Sequence, residues 1–123
     1  MYKAELPRRV LLVEDDPDVS ELYCFALTTA GHQVTLATDG EIAIEQIRQE
    51  TFDVVLLDMM LPKLDGLGVL KEMRRLGVDT PTVVISNYNA GDLQAAAMRA
   101  GARRYLVKSH IQPSDLVALV SQQ

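Results

Sequence analysis

The chain has 123 residues, 48% of them hydrophobic and 24% charged, a balance that fits one globular domain and excludes a disordered segment. Its net charge of −5 disfavours nonspecific binding to nucleic acid or to an anionic membrane surface. The single cysteine, Cys24, excludes an internal disulfide and fits a reducing compartment, and the first residues lack the apolar stretch of a signal peptide. We therefore expect a cytoplasmic single domain over residues 1–123, with residues 1–7 as a loose N-terminal extension.

The first half of the chain alternates short apolar runs with helical patterns. Residues 10–13 predict a strand, Pro17 opens a helix, and Gly31 ends that helix. A second strand is predicted at Gln33–Ala37, and a helix follows the turn at Thr38-Asp39-Gly40. The apolar stripe predicted for the first helix comprises Val19, Leu22, Tyr23, Ala26, Leu27 and Ala30.

The second half repeats the alternation three times. Val54–Leu57 is a continuous apolar run that predicts a strand buried on both faces, and a helix is expected after Gly66. Residues 82–85 predict a fourth strand, residues 90–100 a helix, and Arg104–Val107 a fifth strand. The final helix is expected to begin near Pro113.

This alternation of five strands and five helices predicts an α/β fold with a parallel sheet covered by helices on both faces. We expect a flavodoxin-like, doubly wound sheet with strand order 2-1-3-4-5. Right-handed crossovers would bring the carboxyl ends of all five strands to one edge. In that order the first and third strands are neighbours, so residues that follow them should lie close together.

Polar side chains follow four of the five predicted strands. Asp58 follows the third strand, Ser86 the fourth and Lys108 the fifth, while the first strand is followed by three acids, Glu14, Asp15 and Asp16. Gathered carboxylates repel one another, and a cation, a proton or the Lys108 ammonium would relieve that repulsion. Oxygen ligands with spare water positions suit Mg²⁺. The other interpretation of the acids is helix capping at Pro17, which Asp15 or Asp16 would serve while also binding metal.

The same residues suit a phosphoryl group bonded to Asp58. The chain contains no glycine-rich phosphate-binding loop of the nucleotide-binding types. An aspartate carboxylate is a known nucleophile in phosphoryl transfer. Mg²⁺ and Lys108 would neutralise charge on the phosphoryl oxygens, and Ser86 would donate a hydrogen bond to one of them.

Over nearly its whole length the chain resembles the receiver domain of two-component response regulators. The resemblance rests on the order and spacing of four segments rather than on any one of them. They are Val13-Glu14-Asp15-Asp16, the stretch from Leu56 to Gly66 with its Leu-Pro-x-x-Asp-Gly loop, Val84-Ile85-Ser86-Asn87, and the stretch from Gly101 to Lys108.

The resemblance implies a role for each site residue. Asp58 would be the phosphoacceptor, Lys108 the amine that pairs with the phosphoryl group, Ser86 the switch hydroxyl, and Tyr105 the aromatic side chain that reports phosphorylation. The implied Mg²⁺ ligands are Asp15, Asp58, the backbone carbonyl of Met60 and, through a water, Glu14. Asp16 is a further candidate, as the third acid of the cluster.

Two departures from the family pattern affect these expectations. The family usually has a cis proline after the lysine, but here Ser109 follows Lys108, so the geometry of that peptide bond is open and a trans bond is favoured. Met60 and Tyr88, each two residues after a site residue, are bulky and carry no carboxylate or amide. We expect them to position an attacking water poorly and to lengthen the life of the phosphoryl group.

The resulting hypothesis is a phosphorylation-activated signalling switch that is not an enzyme beyond limited self-catalysed phosphorylation and dephosphorylation. The expected partners are a sensor histidine kinase or histidine phosphotransfer protein and a downstream protein effector or an output domain absent from this chain. The alternatives are a phosphorylation-independent receiver-like module and a phosphatase of the haloacid-dehalogenase type. The latter needs an acid at position 60, where this chain has methionine. Nothing resembling an output domain follows the final helix, which is expected for a stand-alone receiver or for one cut from a longer regulator.

Overall fold

The fold is known from a computed structural model that describes residues 6–87 and 91–122. Strands and helices alternate as the sequence predicts. The strands are β1 Arg9–Val13, β2 Gln33–Ala37, β3 Val54–Leu57, β4 Thr82–Ser86 and β5 Arg104–Val107. The helices are α1 Pro17–Thr29, α2 Gly40–Gln49, α3 Gly66–Arg75, α4 Gly91–Arg99 and α5 Pro113–Ser121, with a 3₁₀ turn at Lys108–His110.

The five strands form one parallel sheet in the order β2-β1-β3-β4-β5, which confirms the predicted flavodoxin-like topology. Val13 pairs with Leu57 in register, so β1 and β3 end side by side at the carboxyl edge. The residues that follow these two strands are therefore adjacent in space.

The core consists of two layers, one on each face of the sheet. Alternate strand residues, such as Leu57 and Val84, pack with α2, α3 and α4, and the intervening ones, such as Leu56 and Ile85, pack with α1 and α5. β3 and β4 are buried along their whole length, as expected for central strands with helices on both faces.

The buried face of α1 differs from the predicted apolar stripe. Ser20, Tyr23 and Leu27 are buried, whereas Leu22 is 52% and Phe25 69% exposed. Ser20 fits into the interior because its hydroxyl donates a hydrogen bond to the Pro17 carbonyl at 3.2 Å. The prediction that Leu22 lies on the inner face was therefore wrong, since the buried face is rotated toward Ser20.

Candidate functional site

Two buried carboxylates and one lysine meet at the carboxyl edge of the sheet. Glu14 follows β1 and Asp58 follows β3, and their exposures are 2% and 6%. The Lys108 Nζ, at the end of β5, donates to Glu14 Oε1 at 2.6 Å and to Asp58 Oδ2 at 3.1 Å. The structure thus joins three residues that are as many as 94 positions apart.

Backbone amides hold the second oxygen of each carboxylate. The Met60 N–H donates to Asp58 Oδ1, and the Asp16 N–H donates to Glu14 Oε2, both at 3.1 Å. In each case the donor lies two residues after the acid, where the chain turns away from its strand. The carboxylates are therefore fixed in place by the same turns that end β1 and β3.

Burial and charge shift the ionisation of this group. Burial raises the pKa of Glu14 to about 6, although its hydrogen bond from Lys108 acts in the opposite direction. Burial lowers the pKa of Lys108, but the hydrogen bond to Glu14 and the negative charge of Asp58 outweigh it, and the net shift is upward. The lysine is therefore fully charged at neutral pH and neutralises only part of the acidic cluster.

A third acid completes a group suited to a cation. Glu14, Asp15 and Asp58 each offer a carboxylate oxygen, and these oxygens lie within 4.8 Å of one another. Asp15 is exposed, so the group opens to solvent and leaves room for water ligands. Three carboxylates facing one ammonium carry excess negative charge, and an all-oxygen donor set fits Mg²⁺.

Asp16 takes a different position from the other acids. Its Oδ1 accepts hydrogen bonds from the backbone N–H groups of Asp18 and Val19 at 2.9 and 3.4 Å. It is thus the N-cap of α1, and it lies outside the carboxylate group found among the described residues. This matches the capping interpretation that the sequence left open.

Ser86 and Tyr105 lie on the same face of the sheet. Ser86 is fully buried at the end of β4, and the half-buried Tyr105 pairs in register with Val84, two residues before Ser86. Because side chains alternate along a strand, Ser86 and Tyr105 face the side covered by α4. Tyr105 packs against the core cluster on that side, and the switch roles expected for both residues remain predictions.

The two departures from the family pattern have different outcomes. The Lys108–Ser109 peptide is trans, since the described residues contain no cis peptide bond, and a 3₁₀ turn begins at Lys108. The Met60 side chain is 55% exposed beside the site, while Tyr88 lies outside the described residues. The sequence did not indicate the 3₁₀ turn.

The loop between β3 and α3 is supported by a contact that sequence reasoning missed. A Cβ on Gly40 would lie 1.8 Å from the Leu64 carbonyl oxygen, so only glycine allows this approach. Lys63, in the left-handed region at φ 67°, lies 3.8 Å from the Asp39 carboxylate, which also caps α2. The Asp39-Gly40 pair was predicted as a turn, and its proximity to this loop arises only in the folded chain.

Comparison with known proteins agrees with this arrangement. The profile of the response regulator receiver domain matches residues 10–121. The chain belongs to the response regulator receiver domain family. The standard function of this family is a phosphorylation-activated switch in two-component signalling, and its members are generally not enzymes.

Individual relatives support the same family. The chain is 39% identical over 103 residues to the response regulator MprA of Mycolicibacterium vanbaalenii. The aligned region is 84% of this chain and 45% of MprA. The chain therefore spans less than half the length of that relative. The solved receiver domain of the Francisella response regulator 1452 is 27% identical, with a TM-score of 0.88 and 94% of each chain covered. The Mn²⁺-bound form of the response regulator Rcp1 is 30% identical, with a TM-score of 0.78 over 94% of this chain and 91% of that one.

One further finding concerns membranes. Among the described residues, no helix has both the length and the apolar character needed to cross a bilayer.

Proposed function

We propose that Asp58 is the phosphoacceptor of this receiver and that its donor is a phosphohistidine on a sensor histidine kinase or histidine phosphotransfer protein. One observation carries the proposal: a buried aspartate at the end of a central strand accepts from Lys108 at 3.1 Å and belongs to a group of three carboxylates. Because the Lys108 ammonium neutralises only part of the charge on the three carboxylates, the site can also bind a cation, which phosphoryl transfer to Asp58 would require.

A divalent cation fits this acidic group. We assign Asp15 and Asp58 as direct Mg²⁺ ligands, with the Met60 backbone carbonyl as a third ligand and Glu14 acting through water. Bound there, Mg²⁺ would neutralise charge on the phosphoryl oxygens during transfer. The similar regulator Rcp1 has been solved in a Mn²⁺-bound form, which supports the binding of a divalent ion by a chain of this fold.

The transfer itself is a displacement at phosphorus. A carboxylate oxygen of Asp58 forms the new P–O bond, the P–N bond to the donor histidine breaks, and the bonding electrons return to the imidazole nitrogen. Lys108 Nζ already lies 3.1 Å from Asp58 Oδ2. After transfer, its ammonium can therefore donate a hydrogen bond to a phosphoryl oxygen instead of to the carboxylate. These groups of the chain itself assist both its phosphorylation and the later hydrolysis of the phosphoryl group. This assistance is the limited self-catalysis that we propose.

The response to phosphorylation follows from the shared face of Ser86 and Tyr105. When the Ser86 hydroxyl turns toward a phosphoryl oxygen it vacates space at the end of β4. Tyr105, on the neighbouring strand and the same face, moves toward that space and changes the surface of α4 and β5. The change is a shift between two states that alters binding of a downstream protein effector or an output domain. The cytoplasmic location expected from the lone cysteine stays a prediction.

Beryllofluoride separates this function from a phosphorylation-independent module. This phosphoryl mimic, added with Mg²⁺, should bind tightly to the wild-type chain and shift the backbone amide NMR signals of Asp58, Ser86 and Tyr105. The Asp58→Asn variant should show no such shifts. The control variant Asp53→Asn, which replaces an exposed acid, should show the same shifts as the wild type. Failure of the folded wild-type chain to respond would favour the phosphorylation-independent module.

A further inference from the structure

Cationic side chains collect at the end of the molecule opposite the phosphorylation site. The C-terminal halves of α3 and α4 and the segment that leads into β5 carry five exposed cations that form no ion pair with the described residues. These are Lys71, Arg74, Arg99, Arg103 and Arg104. The chain as a whole carries a net charge of −5, so this end has the opposite sign to the rest.

Four of the five cations line a pair of cavities that share Arg74, and the fifth, Arg104, follows Arg103 in the chain. One cavity, of about 410 Å³, lies at the amino end of β4 and is also lined by Thr80 and Arg103. The other, of about 250 Å³, lies between α3 and α4 and is lined by Lys71 and Arg99. Asp79 is the only acid among the residues that line them. We refer to the two cavities and the five cations as the cationic cleft.

The structural roles of these residues do not account for the whole cluster. Arg74 Nη1 donates to the Arg99 carbonyl at 3.1 Å and so satisfies the end of α4. Arg99 also complements the dipole of α4 from its last turn. Arg103 directly precedes β5 and Arg104 begins it, so neither lies within a helix, and neither forms an ion pair with the described residues. Several exposed cations gathered at one end of a molecule create a local positive potential that attracts an anionic partner.

We infer that the cationic cleft docks an acidic protein segment, one that presents several carboxylates along an extended chain. Arginine pairs with carboxylates through two parallel N–H groups, which suits a groove edged by guanidinium groups. The site lies at the amino ends of β4 and β5, whereas Asp58 lies at the carboxyl edge, so the two surfaces do not overlap.

Other anionic partners fit the cleft less well. A duplex DNA site typically uses about 6–10 phosphate contacts, more than these cations supply, and the net charge of −5 opposes it. Binding to a lipid surface needs an apolar face beside the cations, but Leu67 and Val78, which line the cavities, pack against the core.

The inference is tested with the full chain and a peptide of eight glutamates as the probe. At low ionic strength we expect binding that shifts the amide NMR signals of residues 71–79 and 99–104 and weakens at least tenfold in 200 mM salt. Arg103→Glu should weaken binding at least tenfold. Arg48→Glu, the same charge change on an exposed arginine of α2, should alter it less than twofold.

A second variant protects the test against misfolding. If Arg103→Glu lowers the thermal stability, Lys71→Glu, on the exposed surface of α3, should give the same loss of binding. Absence of peptide binding by the wild-type chain would overturn the inference, as would equal binding by Arg103→Glu and Arg48→Glu. Tighter binding of duplex DNA or of vesicles containing anionic lipid than of the peptide would also overturn it. None of these results depends on phosphorylation of Asp58.

Discussion

Glu14, Asp15 and Asp58 place three carboxylates around one ammonium group, that of Lys108. Two like charges about 4 Å apart repel by roughly 4 kcal/mol at an effective dielectric near 20, and Lys108 offsets part of this. We predict that Asp58→Asn raises the free energy of unfolding of the metal-free protein by about 1–2 kcal/mol. The asparagine retains the oxygen that accepts from the Met60 N–H but loses the one that accepts from Lys108, while Lys108 keeps its shorter hydrogen bond to Glu14.

Urea unfolding in the presence of a chelator measures this effect. Asp53→Asn is the matched control, because Asp53 is exposed, also accepts a backbone N–H and lies at the opposite edge of the sheet. Its stability should change by less than about 0.5 kcal/mol. A destabilised Asp58→Asn variant would mean that the carboxylates are not in mutual repulsion.

Met60 sets the lifetime of the phosphoryl group in our interpretation. Its side chain is 55% exposed beside Asp58 and has no group to orient a water molecule. We predict that Met60→Asn speeds hydrolysis of the phosphoryl group roughly tenfold, since a positioned polar group assists proton transfer and water attack. Phosphate release measures the decay of the phosphorylated protein, and its rate should be the same in Met60→Leu as in the wild type. Equal decay rates in wild-type and Met60→Asn protein would contradict this role.

At the scale of elements, His32 connects three parts of the chain that are distant in sequence. Its Nδ1 accepts from the Arg8 backbone N–H at 3.0 Å, so the neutral ring carries its proton on Nε2, which lies 3.1 Å from Ser121 Oγ. The Ser121 hydroxyl in turn donates to the Val117 carbonyl at 2.8 Å. The segment before β1, the turn before β2 and the end of α5 are thus joined through one side chain that is 4% exposed.

This arrangement predicts a pH dependence of stability. Burial, and then the positive charge of Arg8, lower the pKa of His32 below 6.5. A base whose pKa is lowered by folding contributes stability that is complete above its unfolded pKa and is lost as the pH falls through its folded pKa. Between pH 7 and 5, the free energy of unfolding of the wild type should therefore fall more than that of His32→Asn, by up to about 1.4 kcal/mol per pH unit.

Chemical unfolding across this pH range checks the prediction, because all other titrating groups are common to both proteins. The matched control is His110→Asn, which removes the exposed second histidine and should follow the wild type. Parallel curves for the wild type and His32→Asn would show that His32 is not held neutral by the fold.

The elements were predictable because their signals are local. Short apolar runs, helical periodicity and stop residues such as Gly31 predicted the five strands and five α-helices. Their alternation predicted a parallel sheet, and the flavodoxin-like fold supplied its strand order. The inner face of α1 was not predictable, because apolarity alone favoured Leu22 over Ser20, whose hydroxyl is satisfied within its own helix. The contacts of His32 could not be predicted either, since they join residues 89 positions apart.

The candidate site was predictable to the extent that sheet topology places strand ends together. Glu14, Asp58 and Lys108 follow three different strands, and the parallel sheet brings them into direct contact. The 3₁₀ turn at Lys108–His110 and the packing of Gly40 against Leu64 depend on the folded backbone, and no residue pattern indicated them.

For the whole molecule, the sheet separates two surfaces of opposite charge. The carboxyl edge holds the acidic group around Asp58, and the amino ends of β4 and β5 carry the cationic cleft. A phosphoryl group added at the first surface would change the face formed by α4 and β5, and α4 also borders the cleft through Arg99. The face expected to respond to phosphorylation and the cationic cleft therefore share one helix, α4.

The central claim is that Asp58 accepts a phosphoryl group, and the most direct measurement is mass spectrometry after exposure to an acyl phosphate donor with Mg²⁺. We predict that the intact chain gains the mass of one phosphoryl group, that peptide mapping places it on Asp58, and that Asp58→Asn and Mg²⁺-depleted samples gain none. A folded chain that gains no phosphoryl group, or one that carries it on another residue, would contradict the account.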